Sequence, residues 1–111
     1  MSILPIASST FFHNSKLSFS RKELGHILDC YALGVSKGNW KDYSINFDKN
    51  EASFNIYRFC GSAPDYTLTK YKKIKKNQIS YKLQIGIKHK KNYENINDLI
   101  AFLKRKHFKL I

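Results

Sequence analysis

Acidic residues are almost missing from the second half of this chain. Residues 66–111 hold only Glu94 and Asp98 against thirteen Lys and Arg, whereas residues 1–65 set six acids against seven basic residues. Paired carboxylates, the usual means of acid–base catalysis, therefore have little raw material there. A nucleophile elbow and a phosphate-binding glycine loop are missing as well, so the chain is not expected to be an enzyme. Cysteine is scarce: Cys30 and Cys60 make no disulfide framework and read as reduced thiols. His26 and Cys30 stand four residues apart, but a zinc site would need two more ligands, with Cys60 and His89 the only obvious candidates. Without a Cys-x-x-Cys or His-x-x-x-His pair, no metal and no cofactor is expected. No stretch approaches the roughly 20 apolar residues of a membrane span. Residues 1–17 lack a basic leader and a cleavage site, so no signal peptide is read and a cytoplasmic location is expected.

What the chain has in quantity is positive charge and aromatic side chains. Of a formal net charge of +12, the second half carries +11. Such a concentration creates a long-range field that raises the local density of polyanions and speeds encounter with them. The cations are mostly lysine, with plentiful Asn and Ile beside them, a composition that AT-rich codons favour in part. Lysine binds phosphate as a point charge, without the rigid fork of arginine. Eight Phe, seven Tyr and the single Trp40 argue for a folded core rather than disorder.

Residues 1–18 show no periodicity and are expected to form a flexible tail, with 19–111 a single domain. Ser20-Arg21-Lys22-Glu23 fits a helix capping box, and Phe19 with Leu24 fits a hydrophobic staple. Leu24, Ile27, Leu28, Tyr31 and Val35 continue at helical spacing, and Gly38 closes the helix. Alternating segments follow: Tyr43–Phe47, Ala52–Tyr57, Tyr66–Tyr71 and Ile79–Ile87 read as strands, the first two joined by a turn at Asp48-Lys49-Asn50. Lys88–Asn92 reads as a polar loop. Asn95 caps a second helix whose stripe is Ile96, Leu99, Ile100 and Leu103 and whose last turn is basic. The fold class predicted is α+β: a four-stranded antiparallel sheet of two hairpins with both helices on one face, order α-β-β-β-β-α. The other face is then open and polar, with Ser44, Asn46, Ser53, Asn55, Tyr57, Thr67, Thr69, Lys82 and Gln84.

The run Phe19-Ser20-Arg21-Lys22-Glu23-Leu24, then Ile27-Leu28, Tyr31 and Gly38-Asn39-Trp40-Lys41-Asp42-Tyr43-Ser44-Ile45, resembles a small alphaproteobacterial family known as domain of unknown function 2794. Phe54, Tyr57-Arg58, Pro64, Tyr66, Lys70 and Tyr81 also resemble family positions, so the likeness runs from about Phe19 to the C-terminus. Asn39 and Lys41 depart from the Glu and Arg of the family pattern. The resemblance implies an α+β domain in a proteobacterial cytoplasm and brings no activity, cofactor or partner with it.

Two functional readings follow from the residues. In the first, the domain binds RNA or DNA without strong sequence preference. Lys70, Lys72, Lys73, Lys75 and Lys76 position phosphates, Lys82, Lys88, Lys90 and Lys91 extend the track, and Arg58 and Tyr71 stack on bases. The competing reading of those lysines is a solvated hairpin. In the second, the domain is a protein-interaction or homo-oligomeric module with an acidic protein partner, using Trp40 and Leu33 as anchors. Against that stands the commoner fate of a lone Trp after a helix, which is to plug the core. Asp42 is expected to form an ion pair with Lys41 or Arg58.

Overall fold

A computed structural model describes residues 16–59 and 61–108. It contains α1 (Arg21–Ser36), β1 (Asp42–Phe47), β2 (Glu51–Tyr57), β3 (Tyr66–Lys73), β4 (Gln78–Ile85), β5 (His89–Tyr93) and α2 (Ile96–His107). The strands form one antiparallel meander in the order β1-β2-β3-β4-β5. The architecture is α+β as the sequence predicts, with a fifth strand where a polar loop was expected. Strand β4 ends at Ile85; Gly86, in the left-handed region at φ 61°, turns the chain, and Ile87 is left in solvent. His89–Tyr93 then pairs with β4, Leu83 opposite Lys91 and Tyr81 opposite Tyr93. Its Lys90-Lys91 pair is poor strand material, but lysine suits an edge strand, where charge discourages pairing with another chain.

Both ends of α1 form as their residues dictate. Ser20 accepts from the Glu23 N–H at 3.1 Å, Glu23 accepts from the Ser20 N–H at 2.8 Å, and Phe19 is buried beneath this turn. At the other end Lys37 is the cap. Gly38 at φ 77° lets its N–H reach Val35 O at 3.0 Å and the Asn39 N–H reach Gly34 O at 2.9 Å, a Schellman closure. The next residue, Trp40, folds back on the helix and lies 2% exposed. Asn95 caps α2 by accepting from the Asp98 N–H at 2.9 Å.

The buried side of α1 is rotated from the stripe predicted. Ile27, Cys30 and Gly34 are fully buried, Leu24, Leu28, Tyr31 and Leu33 pack partly against the core, and Val35 is 44% exposed. The reason is a second neighbour: α1 packs on α2 as well as on the sheet. Its buried arc is therefore wider than one sheet-facing stripe. Phe54, Ile56, Leu68 and Leu83 from the sheet meet Ile27 and Cys30 of α1 and Leu99 and Leu103 of α2 in one core. Burial pushes the Cys30 thiol up to about 11, with Lys104 opposing.

A polar lock ties the start of α1 to the middle of the sheet. Glu23 accepts from Lys70 Nζ at 2.8 Å and from the Tyr81 hydroxyl, while Lys70 also reaches Ser18 O at 3.0 Å. The three partners sit on the helix-covered side of the sheet. Burial pushes the Glu23 carboxyl up, but the bonds from Lys70, Tyr81 and the Ser20 N–H outweigh it and hold the carboxyl below its usual range. Burial and then Glu23 push the Tyr81 phenol upward. Of the residues expected in the N-terminal tail, 1–15 lie outside the described residues, as does Cys60 in the β2–β3 loop; Leu17 donates its N–H to Asp48 O at 2.8 Å, beside the β1–β2 turn.

Candidate nucleic-acid interface

Strand parity divides the lysines between two sides of the sheet. Lys73, Lys82 and Lys90 share the helix-free face with Ser53, Asn55, Thr67, Tyr71 and Gln84; Lys70, Lys72 and Lys91 fall on the other. On the free face the Lys82 ammonium lies 5.3 Å from the Tyr71 ring centroid, a cation–π contact. Four residues along β4 separate the Lys82 row from the Lys73 row, a spacing of about 13 Å. Lys90 stands one strand over and two residues further, about 8 Å from Lys82 along the backbone lattice. Lys75 and Lys76 cap this track in the β3–β4 turn, where Asn77 at φ 50° supplies the left-handed residue, and Lys88 caps the opposite end in the β4–β5 turn. A depression of about 170 Å³ on this face is lined by Tyr71, Lys73, Ser80, Asn92, Tyr93 and Glu94.

The β1–β3 half of the same face is different. Thr67 donates to Asn55 at 2.8 Å, Asn55 to Ser44 at 3.2 Å, and Ser44 pairs with the Tyr57 hydroxyl at 3.1 Å. These groups satisfy one another, and Tyr57 is half-buried with its hydroxyl engaged. Thr69 and Ser80 are buried even though their parity puts them on the helix-free face. In the cationic half, β3 to β5, Lys73, Gln78, Lys90 and Asn92 are exposed on this face and Lys82 and Gln84 half-buried.

Several predicted site residues lie elsewhere. Lys70 is spent on Glu23 and is not free to hold phosphate. Lys91 lies 4.2 Å from the Phe102 ring centroid on α2, covering the helix side. Lys72 is exposed on that same side of the β3 end. Trp40 is a core residue and Leu33 is packed partly against the core, so neither is an exposed anchor, as the wider buried arc of α1 and the folded-back indole require. His26 is exposed and Cys30 buried, and among the described residues no His, Cys, Asp and Glu cluster could hold a metal ion. Asp42 accepts from the Tyr43 N–H at 2.8 Å, while the ion pair expected with Lys41 or Arg58 does not form.

Arg58 belongs to a second feature that the sequence reading did not contain. A cavity of about 290 Å³ opens at the end of the sheet, lined among others by Asn39, Trp40, Arg58, Asp65, Tyr66 and His107. The indole stands 5.4 Å from the His107 ring and 6.1 Å from Tyr66, both edge to face. The Tyr66 hydroxyl is bonded to His107 Nε2. Burial, then Lys106 and Arg58, hold the His107 imidazole below its usual value, with Asp65 opposing. Asp65 Oδ2 is buried with no hydrogen-bond partner. The cavity draws on the α1–β1 link, the β2–β3 loop, the end of β4 and the last turn of α2, so no local motif announces it.

No helix among the described residues is long and apolar enough to cross a membrane. Neither the curated proteins nor the solved structures offer a match to this chain. A family model does, from Leu17, which is bonded to the β1–β2 turn, to Leu99 in the first turn of α2, and covers all five strands and every cavity residue named above except His107. The chain therefore belongs to the family described as "Protein of unknown function (DUF2794)".

Proposed function

We propose that this domain is a non-catalytic binding module for single-stranded RNA or DNA. The observation that carries the reading is the helix-free face of β3–β5, where Lys73, Lys82 and Lys90 form a row about 20 Å long beside an outward Tyr71. Lysine ammoniums at that spacing suit a phosphate backbone, and an aromatic ring beside them suits base stacking without sequence preference. Lys75, Lys76 and Lys88 lengthen the row at both ends.

The test is fluorescence anisotropy of labelled mixed-sequence RNA and DNA across a salt series. Changing Lys73, Lys75, Lys76 and Lys82 together to Ser should lower the salt slope by about 3, at roughly 0.7 per single-strand phosphate contact. An unchanged slope would remove this face from the reading. A second reading, self-association, is favoured by strand β1, an edge without lysine in its span and with Tyr43 and Phe47 both over 40% exposed. Light scattering during size-exclusion chromatography separates the two.

A further inference from the structure

The cavity at the sheet end holds two opposite charges that do not meet. Arg58 and Asp65 both line it, yet no ion pair joins them, and Arg58 is exposed, its guanidinium 5.8 Å from the Phe59 ring. Asp65 Oδ2 is buried without a donor, a state that costs stability until one reaches it. A fitting ligand therefore presents N–H donors to the carboxylate and an anion to the guanidinium. It also carries a flat apolar body, since Trp40, Tyr66 and His107 supply aromatic walls. A volume of about 290 Å³ takes one heterocycle and not a drug-sized molecule.

We propose that this cavity takes a single guanine base, its N1–H and N2–H donating to the Asp65 carboxylate while Arg58 holds the adjoining phosphate. The choice of base follows from the carboxylate, which when ionised only accepts hydrogen bonds. Guanine places two donors side by side on its Watson–Crick edge. Adenine and cytosine offer one donor beside an acceptor, and uracil one donor between two carbonyls, so each turns a lone pair toward the carboxylate. Oδ2 is closed off from the cavity, so binding requires the carboxylate to turn about its last torsion, which is soft, to bring both oxygens to the ligand. The site lies at the Lys88 end of the cationic row, beside the basic last turn of α2. A strand held on the face can thus deliver one unpaired nucleotide to it. The delivery rests on the nucleic-acid reading above; the cavity does not.

The test is calorimetric titration of the full chain with GMP, AMP, CMP and UMP, read in parallel at the indole N–H resonance of Trp40, the only Trp. GMP should bind at least tenfold more tightly than the others and shift that resonance. Asp65→Asn should bring the four nucleotides within about threefold of one another. Arg58→Gln, at an exposed position that leaves the fold intact, should weaken all four alike and keep the preference. Absence of any Trp40 response, or a guanine preference that survives Asp65→Asn, overturns the proposal. An Asp65-dependent GMP preference supports it even where oligonucleotides bind without salt dependence, an outcome that removes only the cationic face.

Discussion

Replacing Gly34 by alanine puts a methyl group where the indole of Trp40 already lies. A Cβ built at Gly34 falls 2.6 Å from Cδ2 and Cζ3 of the ring and closer still to Cε3. Ordinary carbon contacts are about 3.5–4.0 Å, so the ring must move by roughly an ångström or more. It has little freedom to do so, with Tyr31, Tyr66, His107 and Phe108 around it at centroid distances of 5.4 to 6.3 Å. A tolerated shift costs about 1–3 kcal/mol, and expulsion of the indole approaches the roughly 3–5 kcal/mol of a Trp truncation. Alanine returns about 1 kcal/mol through helix propensity. The net expectation is a loss of about 0–2 kcal/mol if the ring shifts and about 2–4 kcal/mol if it is expelled; the close approach to three ring atoms favours the larger loss, a fall in Tm on the order of 10 °C or more. Gly25 is the internal control: it lies in the same helix with nothing within 4 Å of a built Cβ. Gly25→Ala should therefore stabilise by about 1 kcal/mol. Thermal denaturation followed by circular dichroism reads both, and a Trp40→Leu change should relieve part of the Gly34→Ala cost, a non-additivity expected of residues in contact. Two alanine variants that move Tm in the same direction would refute the reasoning.

Three further outcomes are expected. The Glu23 carboxyl titrates below its ordinary value of about 4.5 when folded, so its contribution is present above that pH and is lost as pH falls through the folded value; Glu23→Gln should flatten the acid limb of the stability curve. The His107 imidazole is likewise depressed, so the unfolded chain takes up its proton first and stability falls as pH drops below about 6.5; Tm measured from pH 7.5 to 5.5 should fall less in His107→Gln than in the parent. Cys30, buried with its thiol pushed up to about 11, should resist iodoacetamide in the native protein and react in denaturant, as peptide mass mapping would record; rapid native labelling would contradict its burial.

The sequence shows clearly those elements whose signals are local. The capping box at Ser20 and Glu23, the Asn95 cap and the alternation in β1 to β4 depend on neighbours a few residues away, and all are present. Strand β5 is hidden because His89-Lys90-Lys91-Asn92-Tyr93 has no apolar alternation; its pairing is imposed by β4. The rotation of α1 follows from α2, some 60 residues downstream, which no helical stripe encodes. Lys70 was open to a sharper reading, since Tyr66, Leu68 and Lys70 share a parity and point to the covered side. Its partner Glu23, however, is 47 residues away. The cavity joins four separate segments, and an acceptor without a donor is visible only in three dimensions.

The Glu23 lock also bears on the order of events during synthesis. The sheet is a meander, so each strand pairs with one made just before it and its contacts close as short loops. The first turn of α1 behaves oppositely, because the Lys70 and Tyr81 groups that secure it lie 47 and 58 residues later. On the ribosome α1 is made before any strand, yet its first turn is fastened only after β4 has emerged. Slower elongation through β3 and β4 thus prolongs the interval in which the apolar side of α1 waits uncovered.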